Sequence, residues 1–313
     1  MKRIITCIFL ALPFLVNAQQ KEQDSINYDK AWDFYEKEKY GSALMLVNPL
    51  ISANPKSAMY YSLRGCIYKG MHASDDALAD FSTAILFDPH NCIYYSQRSN
   101  IYLGLQMEDE CIKDCDSSIK YAYNDTVKYE LICNRGAAKY QKRDFQGAYD
   151  DYIQLYRFDS TNILALTSLG TVLDDLNRDD EAIAYLEKAI KRDPTFIGPI
   201  GNLGFRYSMK GDYVKALAMF KRVLELSPED AVTLNNIGYV QYKMNDLPDA
   251  LKNIQRSIEL YPANSYAYRN RALVYIAMKE KDKACEDLKQ AVKQGFTEMY
   301  GDEVKKLILE KCI

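Results

Sequence analysis

Beyond residue 18, apolar residues recur at i, i+3, i+4 and i+7 in short stretches, with polar and charged residues filling the positions between them. That spacing predicts amphipathic α-helices. The stretches come in pairs separated by a break. Asn202-Leu203-Gly204-Phe205-Arg206-Tyr207 and Ala216-Leu217-Ala218-Met219-Phe220 form one such pair, and Lys210-Gly211-Asp212 supplies the turn between them. Pro248, just ahead of Asp249-Ala250, suits the first turn of a helix.

The pairs repeat every 34 residues. Pro55 and Pro89 are 34 apart, and so are Pro194, Pro228 and Pro262, with Ser160 and Thr126 continuing the phase backward. The step from Pro89 to Thr126 is 37, so one unit carries a three-residue insertion, and a longer connection is expected near Tyr121 to Asp125. Ten residues past each anchor stands a small residue: Gly65, Ser99, Gly136, Gly170, Gly204, Gly238 and Ala272. Twenty-two past it stands another: Ala77, Cys111, Ala148, Ala182, Ala216, Ala250 and Ala284; Ala31 and Ala43 add one more unit in phase. A fixed period in this range signals stacked repeats. The small residues allow two backbones to approach closely while bulky neighbours interdigitate around the contact.

These residues resemble the tetratricopeptide repeat (TPR) family. Tyr61-x-x-Arg64-Gly65-x-x-Tyr68, Ala77-x-x-x-Phe81 and Pro89 follow its pattern, as do Leu203-Gly204-x-x-Tyr207, Ala216-x-x-x-Phe220 and Pro228. The resemblance implies an all-α fold: a right-handed superhelical solenoid of about eight helix-turn-helix units with a C-terminal capping helix. The units fall at 24–57, 58–91, 92–128, 129–162, 163–196, 197–230, 231–264 and 265–298. The first departs from the pattern, because Asn48-Pro49 lies inside its second helix and is expected to kink or shorten it. Residues 19–23 read as a loose polar linker. At 299–313, Asp302 opens a short helix carrying Val304, Leu307, Ile308 and Cys312 on one face, a cap for the exposed end of the stack.

In the family, the first helix of each unit lines a concave groove. Carried onto this chain, that names Tyr28, Trp32 and Tyr35 in the first unit, Asn100, Glu130, Tyr140, Asp174 and Asp175 in the middle, and Phe205, Met209, Asn235, Tyr239, Tyr242, Tyr266 and Arg269 toward the end. The expected groove has aromatic ends and an acidic middle. Tyr and Trp are the usual anchors of recognition surfaces, although Tyr also suits any half-buried helix face. Family members that grip a C-terminal carboxylate use Lys and Asn on successive groove helices. The corresponding positions are Ser62, Cys66, Ser96 and Asn100, so the Lys is missing and a chaperone-tail clamp is not expected.

Composition narrows the chemistry. Hydrophobic residues are 48% and charged residues 27%, the balance of a folded globular chain. The net charge of −3 is the wrong sign for a protein that lives on phosphates, so no nucleic acid is expected. His72 and His90 are the only histidines, and no phosphate loop, nucleophile elbow, HExxH or dinucleotide fingerprint occurs. The pairs Asp75-Asp76, Asp150-Asp151, Asp174-Asp175 and Asp179-Asp180 read as charge on exposed helix faces, since adjacent helical residues diverge by about 100°. Cys111 and Cys115, at i and i+4, lack a complementary ligand pair and read as buried small hydrophobes, as do Cys66, Cys92 and Cys133. No catalytic residue, cofactor or metal is expected.

Met1-Lys2-Arg3, an apolar run from Ile4 to Val16, and Asn17-Ala18 make residues 1–18 a signal peptide; the competing anchor helix is too short and is interrupted by Pro13. No later run is long enough to span a membrane. The expected protein is an exported, non-enzymatic adaptor in the periplasm or outer envelope, binding a protein or peptide in its groove; the alternative is a glycan- or small-ligand-binding component of an envelope uptake system. An oxidising compartment permits disulfides. Cys285, ten residues before Gly295, and Cys312, ten after Asp302, reach the same height if the cap folds back, so a Cys285–Cys312 bridge is expected, against two buried free thiols. Asp24-Ser25-Ile26, Asp125-Thr126-Val127 and Asp159-Ser160-Thr161 resemble O-glycosylation acceptors of some Gram-negative envelopes, with ordinary turn and N-cap chemistry as the alternative.

Overall fold

A computed structural model describes the backbone of residues 2–312 and the side chains of residues 19–312 apart from Glu298. The expected signal peptide, residues 1–18, lies outside the residues described in full. Among the described residues there are helices and turns and no strand. The chain divides into two compact units, residues 1–155 and 156–313.

The first unit holds α1 (Lys2–Glu36), α2 (Tyr40–Ala53), α3 (Ala58–Gly70), α4 (Ser74–Phe87), α5 (Cys92–Gly104), α6 (Glu108–Ser118) and α7 (Asp125–Gln141), with most of α8 (Phe145–Phe158). The second holds α9 (Ile163–Asp175), α10 (Asp179–Arg192), α11 (Ile197–Met209), α12 (Tyr213–Leu226), α13 (Ala231–Lys243), α14 (Leu247–Leu260), α15 (Ser265–Ala277) and α16 (Lys281–Lys293), then α17 (Phe296–Tyr300) and α18 (Glu303–Lys311). Within each unit a helix packs on its neighbours in sequence, and first helices of consecutive hairpins also touch, as α11 does α13 and α13 does α15.

Each hairpin turns on one left-handed residue. Glu38, His72, Gln106, Arg143, Asn177, Asn245 and Lys279 have φ from +56° to +64°, and Gly211 occupies the same slot at +80°. In the turn after α9, Asn177 N–H donates to Asp174 O and Arg178 N–H to Leu173 O, both at 2.8 Å, which satisfies carbonyls the helix end leaves open.

The small residues do what the period requires, with a refinement. The Ala slots at 31, 43, 77, 148, 182, 216, 250 and 284 and Cys111 are all buried. The Gly slots accommodate the bulky residue sixteen positions on. A Cβ at Gly65 would lie 3.0 Å from Phe81, at Gly136 2.7 Å from Tyr152, at Gly204 2.8 Å from Phe220, and at Gly238 2.4 Å from Ile254. Where Ser99 fills the slot, the opposing residue is the small Cys115, so the two volumes compensate.

A second period-locked feature was not anticipated. Arg64 bonds Asp80, Arg98 bonds Asp114, Arg135 bonds Asp151 and Arg271 bonds Asp287, each pair sixteen residues apart and each through two guanidinium nitrogens. The carboxylate is buried in every case. The bonds to Asp80 hold the Arg64 guanidinium above its ordinary range. The same arginines reach the preceding hairpin: Arg64 to Asn48 and Arg98 to Ser82, at 3.0 and 2.8 Å. Asp151, expected on an exposed face, is therefore an interior residue that Lys139 also bonds, because its neighbour on the first helix is cationic.

Three other expectations need correction. Residues 19–23 continue α1 instead of forming a loose linker, braced by Gln20 to Asp24 (2.8 Å) and Gln23 to Asn27 (3.0 Å). Pro49 does not shorten α2, which has the 14 residues of α4. The carbonyl deprived of a donor by Pro49 belongs to Met45, a residue that is 78% exposed. The longer connection expected near Tyr121 to Asp125 is present between Ser118 and Asp125, with a 3-10 turn at Ile119–Tyr121 and Asn124 accepting from Val127 N–H at 2.9 Å. The cap is two helices instead of one, since α17 precedes α18 and buries Phe296 completely.

Candidate functional site

In the second unit, α11, α13 and α15 lie side by side and present one row of side chains each. Phe205 and Met209 come from α11, Asn236 and Tyr239 from α13, and Tyr266 from α15. They line two adjoining cavities of about 650 and 270 Å³ that share Phe205, Asn236 and Tyr266. Phe205 is 46% exposed and Met209 65%, so this is apolar area the fold leaves open. Tyr300 of α17 closes the end, edge-on to Tyr266 with ring centroids 4.6 Å apart. Burial pushes the Tyr266 phenol above its ordinary range, so it is a neutral donor and acceptor.

The polar groups are mostly committed to the scaffold. Asp230 and Asn264 cap α13 and α15, accepting from Thr233 and Tyr266 N–H. Asn202 donates to Thr171 Oγ1 at 3.1 Å, and Asn236 faces both cavities. Arg269 is an ion pair with Glu303 of α18, donates to Asn270 at 2.8 Å, and lies over the rings of Tyr239 and Tyr266 at 5.7 and 5.8 Å. A row of aromatic surface with amides between can grip an extended chain by ring contacts and backbone hydrogen bonds. It offers no nucleophile–base arrangement.

Several expected groove residues are placed otherwise. Asn235 is only 3% exposed and accepts from Asn270 at 2.9 Å, a bond between first helices that removes it from the surface. Asp174 is ion-paired with the buried Arg206 of α11, so the acidic middle is neutralised there; Asp175 is half-buried on the same helix. Tyr242 is half-buried against the Ala250–Ile254 core, beside Tyr239.

In the first unit, Tyr28, Trp32 and Tyr35 form an edge-to-face series, with centroids 6.4 and 5.4 Å apart. Trp32 and Tyr35 pack against two core clusters, one around Val47 and one around Phe81, so they bind their own fold. Asn100 donates to Glu130 at 3.3 Å, and Tyr140 packs on Phe145. Ser62, Cys66 and Ser96 are buried. Thr126 and Ser160 are exposed, whereas Asp24 is buried and bonded to Gln20 and Asn54.

The cavities also draw on Asn202, Asn236, Tyr261 and Tyr300, which sequence reasoning passed over. Asn202, Asn236 and Asn270 stand 34 apart, so the repeat phase itself marked that row. Tyr300 carried no such mark, because a five-residue helix shows no periodicity. At the chain end, Cys285 of α16 and Cys312 are joined by a disulfide with Cα atoms 5.7 Å apart.

Among the described residues no helix is long and apolar enough to cross a membrane. Residues 164–196 and 235–295 each match a family model described as tetratricopeptide repeat. No curated protein matches the chain. Among solved structures, the APC/C hetero-tetramer Cut9–Hcn1 is similar at 17% identity and a TM-score of 0.64, over 78% of this chain and 48% of that one. This chain thus spans about half the length of that relative. Two crystal structures of MamA are 25% and 24% identical with TM-scores of 0.45, covering 52% and 55% of this chain and 96% and 93% of theirs. Repeats of this family and the all-α hairpin stack support a protein-interaction scaffold. The chain carries tetratricopeptide repeats over residues 164–196 and 235–295.

Proposed function

We propose that this protein is an exported, non-enzymatic adaptor that holds an extended peptide segment of a partner protein in the groove of α11, α13 and α15. The observation that carries the reading is the open apolar surface of Phe205, Met209 and Tyr266, with the amides of Asn202 and Asn236 in register between them. Neighbouring packed helices stand about 10 Å apart. Three residues of extended chain span about the same distance. Amides in one slot on successive helices therefore match peptide groups three residues apart, while the rings take the side chains between. The charged and apolar leader at residues 1–18 supports export.

A glycan reading rests on the same amides and rings, since planar amides bond hydroxyls and aromatic faces cover sugar C–H groups. Panning a library of displayed random peptides against the immobilised protein, beside a panel of oligosaccharides, tests both. Peptides enriched with a shared spacing of apolar residues support the adaptor. Oligosaccharide binding without peptide enrichment overturns it in favour of the glycan.

A further inference from the structure

The far wall of the groove is built by a segment that one covalent bond tethers. α18 has nine residues, too few to persist as an isolated helix. Val304 anchors its first turn, fully buried beside Phe296, Leu288 and Ala291. Its other end is fixed by Cys312 to Cys285, and both cysteines are half-buried, within reach of a soluble thiol. Just ahead of Val304, on the opposite side of it from the bond, lie the two contacts that reach the groove: Tyr300 on Tyr266, and Glu303 on Arg269. The Arg269 side chain is only 13% exposed, so its charge sits in the groove wall and Glu303 neutralises it.

Resting on the peptide-groove reading above, we propose that the Cys285–Cys312 bond is a redox latch on that wall. A dithiol reductant supplies the chemistry. One of its thiolates attacks one sulfur, the S–S bond breaks, and the other cysteine leaves as a thiolate that takes a proton from water. The second thiol then attacks the mixed disulfide, frees the remaining cysteine and leaves as a cyclic disulfide, so two electrons and two protons pass to the protein. Reduced, α18 loses its one covalent hold and keeps the stripe of Val304, Leu307 and Ile308 and the Glu303–Arg269 ion pair, which a nine-residue helix must sustain alone. As that helix frays, Glu303 parts from Arg269, and Tyr300 from Tyr266. The oxidised groove ends in a neutral aromatic wall that suits an apolar side chain. The reduced groove is open-ended and exposes a guanidinium between two tyrosines, which suits an acidic one.

The test uses the full chain, oxidised and after dithiothreitol, with tetranitromethane as the probe and peptide mapping as the readout. Reduction should raise nitration of Tyr266 and Tyr300, already 37% and 51% exposed, by about twofold and speed amide exchange across 303–311, leaving α9 and α10 protected. The C285S/C312S variant should behave as reduced protein with or without the dithiol. Unchanged nitration and exchange on reduction overturn the latch. Loss of protection throughout α9 and α10 also overturns it, because the bond would then hold the whole unit together. Peptide binding is scored separately: faster exchange across 303–311 on reduction with no peptide bound in either state sustains the latch and removes the peptide reading.

Discussion

Arg98 and Asp114, sixteen residues apart on α5 and α6, meet through paired hydrogen bonds, Nε to Oδ2 at 2.7 Å and Nη2 to Oδ1 at 2.6 Å. Tyr95 and Tyr102 flank the guanidinium, and its third nitrogen reaches Ser82 on α4. One arginine thus ties three helices. The carboxylate is 6% exposed, so it is stable only while paired.

Asp114→Ala should cost about 3 kcal/mol, because it strands a cation in the interior. The hairpin of α11 and α12 places Leu203 and Met219 in the corresponding slots. The double variant R98L/D114M copies that solution and should recover most of the loss. Urea unfolding of the three proteins checks this; a double variant no better than the single one would contradict the pairing argument.

Two glycines on neighbouring helices should respond with opposite signs. Gly238→Ala places a Cβ 2.4 Å from Ile254 and 2.9 Å from the Ala250 carbonyl, and should destabilise by about 1–3 kcal/mol. Gly201→Ala meets nothing within 4 Å and should stabilise by up to about 1 kcal/mol through helix propensity. Thermal melts of both variants decide it.

Cys66 lies in the core cluster that Trp32 and Tyr35 cover, and burial pushes its thiol up to about 11. Burial disfavours the thiolate, so at pH 8 the native side chain stays protonated and inert. Iodoacetamide at that pH should leave Cys66 unmodified in the folded protein and alkylate it fully in urea.

The hairpin stack was legible because its cause is periodic. A small residue in one slot of the unit, Gly at 65, 136 and 204, admits Phe81, Tyr152 or Phe220, and such a requirement recurs with each unit. Phe205, Met209, Tyr239 and Tyr266 were named through the resemblance to the repeat family, which sets first helices side by side. What the repeat phase does not carry is pairing. Whether an acid is free depends on the helix beside it: Asp174 is claimed by Arg206, and Asn235 by Asn270. Trp32 looked like a recognition anchor, yet Phe81 and Val47 already use its faces. The end of the stack has no repeat to imitate, so α17 and Tyr300 stood outside any pattern.

The most direct measurement is calorimetric titration of the best peptide from the library into the wild-type protein, N236A and Phe205→Ala. Phe205 is half in solvent and Asn236 faces the cavities, so both variants should melt with the wild type. A buried aromatic anchor carries about 2 kcal/mol or more, so Phe205→Ala should weaken binding by about thirtyfold, and N236A by about tenfold. Wild-type affinity in both variants would place the peptide elsewhere and contradict the groove.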